Sequence, residues 1–332
     1  MRRHAALAIT AAILASAAAA RGAELTLFGA LSLAGGGDLN RAVRGWEAYY
    51  SDHNGKPYSF ANDLGEMKWF PGGGAVLTIS LGKRFSLGLG GEFLRGLTSG
   101  TISGSLKASS SDSPVEGERR EILTEETIAR RPSYELKGIV ASLVAFYDLP
   151  VGRGVRAYLG AGPGLYFGTL DFREGFEEDL KTTEVRTSGE TRRTFLNNYA
   201  ATGEERQTLR ATAFGVIALA GVEILVSDEV RLVFEAGARR AVWSAWKGTR
   251  TLSTTWQHSW GENGGQSASG NDTSTSDGRL WAVEAPDPET GRSYDRLLFG
   301  AESPSSTIWK NVRPAAIDLT GLSFRVGVGF RF

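Results

Sequence analysis

The sequence predicts an all-β chain: a closed, antiparallel transmembrane β-barrel of eight strands, or ten, with long loops at one end and short turns at the other. Three observations predict it. Apolar residues recur at every second position through most of the chain, connections alternate between very short and very long, and glycine accounts for 43 of 332 residues. A spacing of two places alternate side chains on opposite faces of a strand. So much glycine would weaken helices, whereas in a tightly curved sheet it makes room for neighbouring side chains.

The chain opens with Arg2 and Arg3, an apolar run from Ala5 to Leu14, and small residues to Ala20. That order is the pattern of a cleavable secretory signal peptide over residues 1–20, leaving 21–332 as the mature barrel. The run is shorter than the roughly 20 residues a membrane helix needs, and nothing later supplies such a stretch, so any crossing must use strands. Cysteine is absent, which excludes disulfides and thiolate metal sites. The formal net charge is zero, which argues against a nucleic-acid partner.

In the first strand Leu25, Leu27, Leu31 and Leu33 share one face, and Thr26, Phe28, Ala30 and Ser32 the other. A hairpin follows. Leu77, Ile79 and Leu81 alternate with Thr78, Ser80 and Gly82; beyond a turn at Lys83 and Arg84, Phe85, Leu87, Leu89 and Phe93 alternate with Ser86, Gly88, Gly90 and Glu92. The same unit recurs from Tyr134 with a turn at 150–154, and from Thr208 with a turn at 227–229. Within it, Pro163 removes one ladder donor and predicts a local bulge. The last strand sets Leu322, Phe324, Val326, Val328, Phe330 and Phe332 against Ser323, Arg325, Gly327, Gly329 and Arg331.

Between these units run long polar connections at about 35–74, 98–133, 170–207 and 245–318. Four such loops are out of place in a compact soluble domain. They match the asymmetry of an outer-membrane barrel, with short periplasmic turns, long extracellular loops and, for an even strand number, both termini in the periplasm. The fourth connection holds Trp256, Trp260, Trp281 and Trp309; an extra hairpin around 249–256 and 279–284 would raise the count to ten.

The less apolar faces carry Glu92, Arg156, Glu223, Arg231, Glu235, Arg239, Arg325 and Arg331. Eight strands cannot enclose Phe, Leu and Ile at every inward position, so the apolar faces should meet lipid while glycines and charges fill a narrow lumen. Those eight residues are expected to form an ion-paired plug, because an unpaired buried charge costs several kcal/mol. Phe85, Phe146, Tyr147, Phe330 and Phe332 at the turn end, and Trp69, Phe70, Tyr166, Phe167, Trp243 and Trp246 at the loop end, are expected as interfacial girdles.

No catalytic set is expected, nor a metal or cofactor. Of the histidines, His4 lies in the signal, His53 in the first long connection, and His258 in the last, beside Ser259 and near Glu262. Adjacent strand residues face opposite ways, so a His258 and Ser259 site would require an irregular loop. Two acidic clusters, Glu174, Glu177, Glu178 and Asp179, and Asp272 with Asp277, lack the spacing of a calcium loop and read as solvated charge.

Through the segment Arg156 to Gly168, the strand bearing Glu223, and the alternating last strand ending in Phe332, the chain resembles the small eight-stranded outer-membrane barrels, the group of the OmpA transmembrane domain, OmpX and OmpW. The resemblance implies an outer-membrane monomer in contact with lipid and lipopolysaccharide. It implies that Phe330 and Phe332 act as the signal read by the barrel-assembly machinery. It implies no activity. The expected role is therefore a mostly plugged, non-enzymatic barrel whose surface loops serve envelope structure, adhesion or a surface ligand. The alternatives are a small conduit for hydrophobic or small solutes, OmpW-like, and a lipid A-modifying hydrolase built on His258.

Overall fold

The computed structural model describes residues 23–55, 57–113, 118–152 and 154–332. The signal peptide expected at 1–20 lies outside them. Strands form wherever the period of two was marked: β1 (Ala23–Ala34), β3 (Trp69–Ser80), β4 (Phe85–Ser99), β6 (Glu118–Gly152), β7 (Val155–Ser188), β8 (Thr191–Leu225), β9 (Val230–Trp243) and β15 (Gly321–Arg331). Seven further strands lie in the expected loops: β2 (Tyr58–Asn62), β5 (Ile102–Asp112), β10 (Lys247–Glu262), β11 (Gln266–Pro286), β12 (Ser293–Gly300), β13 (Lys310–Pro314) and β14 (Ile317–Asp318). The expected count of eight, or ten, is thus not matched, since the described residues form fifteen strands. Antiparallel pairing closes on itself through β1, β3, β4, β6, β7, β8, β9 and β15, and back to β1.

Along that ring the alternation sorts side chains cleanly. In β4, Phe85, Leu87, Leu89 and Phe93 are exposed, while Ser86, Gly88, Gly90, Glu92 and Leu94 are buried. Leu159, Leu165 and Phe167 of β7 and Phe214, Val216 and Ile224 of β8 extend the outward apolar belt. It spans about 12 residues per strand, close to 30 Å of height for strands tilted by about 40°. Its loop-end rim is marked by outward polar pairs: Arg95 with Glu135 (2.7 Å), Lys137 with Asp171 (3.0 Å) and Thr208 with Asp171 (3.0 Å).

Past this rim the connections are not loops. β6, β7 and β8 are 35, 34 and 35 residues long and continue in register. About 20 residues of each stand beyond the belt, on the order of 65 Å of strand. The hairpin of β10 and β11 pairs onto β8, and β5 onto β6, so the ring opens into a tall curved wall. Composition hid these strands because, apart from a few inward residues such as Tyr134 and Phe172, both faces of the wall are mostly polar and leave no sustained period of two to read.

Two further departures have local causes. Pairing of β6 with β7 lapses opposite Gly162 and Pro163, yet Ser142↔Gly164 and Ala145↔Ala161 keep one register, so the ladder loses bonds there without the expected bulge. The first long connection contains a helix, α1 (Asp38–Asp52). Leu39, Val43, Trp46 and Tyr50 recur at helical spacing, and the first two pack into the barrel core. Buried Asn40 fixes the helix by donating to the carbonyls of Gly35 (3.0 Å) and Met67 (2.8 Å) and accepting from the Met67 amide (2.8 Å). Asp38 accepts from Arg313 and from the Ala316 amide (2.7 Å).

Candidate functional site: a sealed lumen beneath a walled vestibule

From the turn end, the lumen begins as a polar cavity of about 510 Å³ lined by Glu24, Asp148, Arg156, Glu223, Arg231 and Arg331 among others. Arg156 bonds Glu223 (2.5 Å) and Asp148 (3.4 Å); Arg231 bridges Glu223 (2.8 Å) and Glu24 (3.0 Å). The space then shrinks to about 20 Å³ around Phe28, Phe146 and Tyr158. A second group closes over it. Glu92 holds Arg239 (2.8 Å) and Arg325 (2.5 Å), Arg325 reaches Glu235 (3.3 Å), and Glu235 accepts from the Tyr158 hydroxyl (2.7 Å).

Seven of the eight expected lumen charges are therefore distributed over two ion-paired groups. Arg331 is exposed at the chain end and has no ion pair among the described residues. Glu24, Asp148 and Tyr158 belong to the network but were not singled out in the sequence. Glu24 shares the inward parity of Thr26 and Phe28, and Asp148 that of Phe146, so alternation could have found both. Arg239 Nη1 and Arg325 Nε have no hydrogen-bond partner among the described residues, so the plug is not fully satisfied.

The loop end of the lumen is filled by rings. Of the expected girdle residues, Phe70, Phe146, Tyr166, Trp243 and Trp246 are buried inside the barrel, whereas Phe85, Phe167, Trp69, Phe330 and Phe332 are exposed. The correction follows from parity: Trp243 has the same facing as Arg239 on β9, so it must point inward with it. Trp243 meets Trp246 edge-on at 5.6 Å and donates to the Tyr166 carbonyl (3.0 Å). Inward glycines accommodate the rings. A Cβ at Gly168 would lie 2.7 Å from Trp246, and one at Gly160 would lie 2.7 Å from Phe146.

Above the rings, α1 and β12 stand within the wall and leave a cavity of about 240 Å³. Trp46 of α1 and Leu297 of β12 face Tyr134 and Phe172, with Arg130 bonded to Glu174 (3.3 Å) and Arg250 to Glu205 (2.8 Å). Burial holds the Glu174 carboxyl above the usual range. Behind the cavity Arg296 stacks on Trp46 at 3.7 Å, and burial draws its guanidinium down to about 10. A clasp ties the far end of α1 to the turn between β11 and β12. His53 Nδ1 faces the Tyr49 carbonyl (2.8 Å) and Nε2 faces Asp287 (3.0 Å). Asp52 accepts from Tyr294 (2.8 Å) and Arg292 (2.6 Å), and these bonds hold its carboxyl below the ordinary range.

The remaining candidates stay apart. His258 lies in regular strand β10, bonded to Asn197 (2.7 Å) and stacked near Trp260, so the pleat turns Ser259 to the other face. Glu177 pairs outward with Arg131 (2.8 Å) while Glu174 faces the cavity, because β7 continues through the acidic cluster and splits it between two faces. Asp272 accepts from Trp256 (3.0 Å). Among the described residues no group of three or more His, Cys, Asp or Glu is arranged for a metal ion.

No protein-family model matches the chain, and no curated protein does. Among solved structures, the outer membrane protease OmpT from Escherichia coli is similar over 94% of this chain and 96% of that one, at 9% identity and a TM-score of 0.23. A likeness at that level carries no argument, and the barrel rests on its own pairing.

Proposed function

We propose that this chain is an outer-membrane β-barrel, exported through a signal peptide, with a sealed lumen and a non-catalytic binding role carried by the wall and vestibule outside. The carrying observation is the break in character along β6, β7 and β8. Over about 12 residues their outward side chains are apolar and exposed, which water penalises and lipid does not. Beyond the rim the outward side chains of the same strands become mostly polar and charged, Arg131, Glu177 and Lys181 among them. The short turns and both termini then face the periplasm, and the wall faces outward.

Because the chain has no cysteine, single introduced thiols report its orientation cleanly. Ser188→Cys, at the top of β7, should react with a membrane-impermeant maleimide on intact cells. Ser227→Cys, in the short turn, should react only after the outer membrane is opened. The reverse pattern would overturn the orientation, and labelling of both on intact cells would overturn the membrane placement.

A further inference from the structure

We propose that the vestibule cavity binds one ring of a neutral, polyhydroxylated molecule, a pyranose unit of a surface glycan. This rests on the binding role above and gives it a ligand class. Glu174 and Glu205 lie directly opposite one another on β7 and β8. Like charges so placed destabilise a sheet, and here each carboxylate is held by its own guanidinium, Arg130 or Arg250. In the lining two acids and two bases cancel, and the Arg296 guanidinium behind it is covered by Trp46, so no ion meets an uncompensated charge at the cavity surface. The acids are also already engaged, which disfavours a divalent ion.

What the site still offers is hydrogen bonding beside apolar faces. Arg250 Nε is buried with no partner among the described residues and needs an acceptor. Gln207 donates to Glu205 (2.6 Å) and lines the same cavity. A hydroxyl both accepts and donates, so a polyol can serve the guanidinium and a carboxylate at once. Tyr134 and Phe172, with ring centroids 4.8 Å apart, supply an aromatic floor for the C–H face of a sugar ring. At about 240 Å³ the space is smaller than the roughly 300 Å³ from which drug-sized pockets begin, and it suits a single ring.

The test uses the full chain refolded in an amine-oxide detergent, since a sugar-headed detergent would compete. Saturation-transfer NMR is run with methyl β-glucoside, methyl β-galactoside and methyl N-acetyl-β-glucosaminide at about 5 mM, where a site with a Kd near 1 mM is mostly filled. Leucine serves as a zwitterionic rival. Saturation of at least one glycoside is expected, weakened about tenfold by Glu205→Gln and by Phe172→Leu and unchanged by Trp260→Phe on the outer hairpin. Heat-modifiable migration confirms that each variant is folded. No glycoside signal, a signal indifferent to both vestibule variants, or leucine bound in preference would overturn the assignment. None of those results bears on the thiol-labelling test, so the two proposals fail separately.

Discussion

The lumen and the vestibule are built from the same chemistry, arginine paired with glutamate beside aromatic rings, and they do opposite things with it. In the lumen, Glu92, Arg239 and Arg325 are each about 5% exposed or less and are closed in by Tyr158 and Phe146 below and by Trp243 above. In the vestibule, Arg130 and Arg250 are each about a third exposed and border an open cavity. An ion pair without room around it is structure; the same pair beside empty space is available to a ligand. The difference is made by what faces the pair. Eight strands leave room for side chains only, whereas the wall above is held apart by α1 and β12.

That contrast can be broken most severely at Glu92. Glu92→Ala leaves Arg239 and Arg325 side by side without their shared carboxylate. It should cost about 3–5 kcal/mol in urea unfolding of the refolded barrel, as does removal of one partner from a buried pair. Removing the vestibule's Glu205 should cost far less, because its partner Arg250 reaches water. Equal losses at the two positions would erase the distinction.

Next in size is the boundary between belt and wall. Leu165→Arg, outward on β7 near the middle of the belt, should cost about 2–4 kcal/mol in lipid. Thr183→Arg, beyond the rim on the same strand and flanked by Leu123 and Leu196, should fall within about 0.5 kcal/mol. Similar values at both positions would mean that the strand meets one solvent along its length. The ring packing comes third: Gly168→Ala drives a methyl to 2.7 Å from Trp246 and 2.8 Å from Trp243, and such overpacking should cost about 1–3 kcal/mol.

The parts of the molecule that could be read from residues alone are those where one face of a strand is exposed and the other is enclosed. Leu27 and Phe28, or Phe93 and Glu92, part company because one points out of the barrel and the other into the lumen, and alternation records that. It equally recorded the facing of Trp243 and Phe146, whose aromatic character suggested a girdle but whose parity required the interior. Above the rim no such contrast exists. Thr182 and Lys181, or Ser253 and Thr254, are polar on either face, so regular strands look like loops. The vestibule escaped for a further reason: Trp46, Tyr134, Phe172, Glu205 and Arg250 come from five separate elements, and only the completed wall brings them together.

The smallest expected effect is the pH response of the clasp. The folded Asp52 carboxyl titrates below its ordinary value of 3.8, so its contribution is fully present above 3.8 and is lost as the pH falls through its lowered value. Protection factors of the amides in the last turn of α1, which correct for the intrinsic slowing of exchange in acid, should therefore fall on acidification below about 3.8 in the native chain and much less in Asp52→Asn. An identical response in both would detach Asp52 from the clasp.

The central claim is that the lumen is sealed, and single-channel recording of the refolded chain in planar bilayers tests it most directly, with heat-modifiable migration to show that the inserted protein is folded. The account predicts silence from the native chain; steady conductance would contradict it and make the Arg and Glu lumen a path instead of a plug.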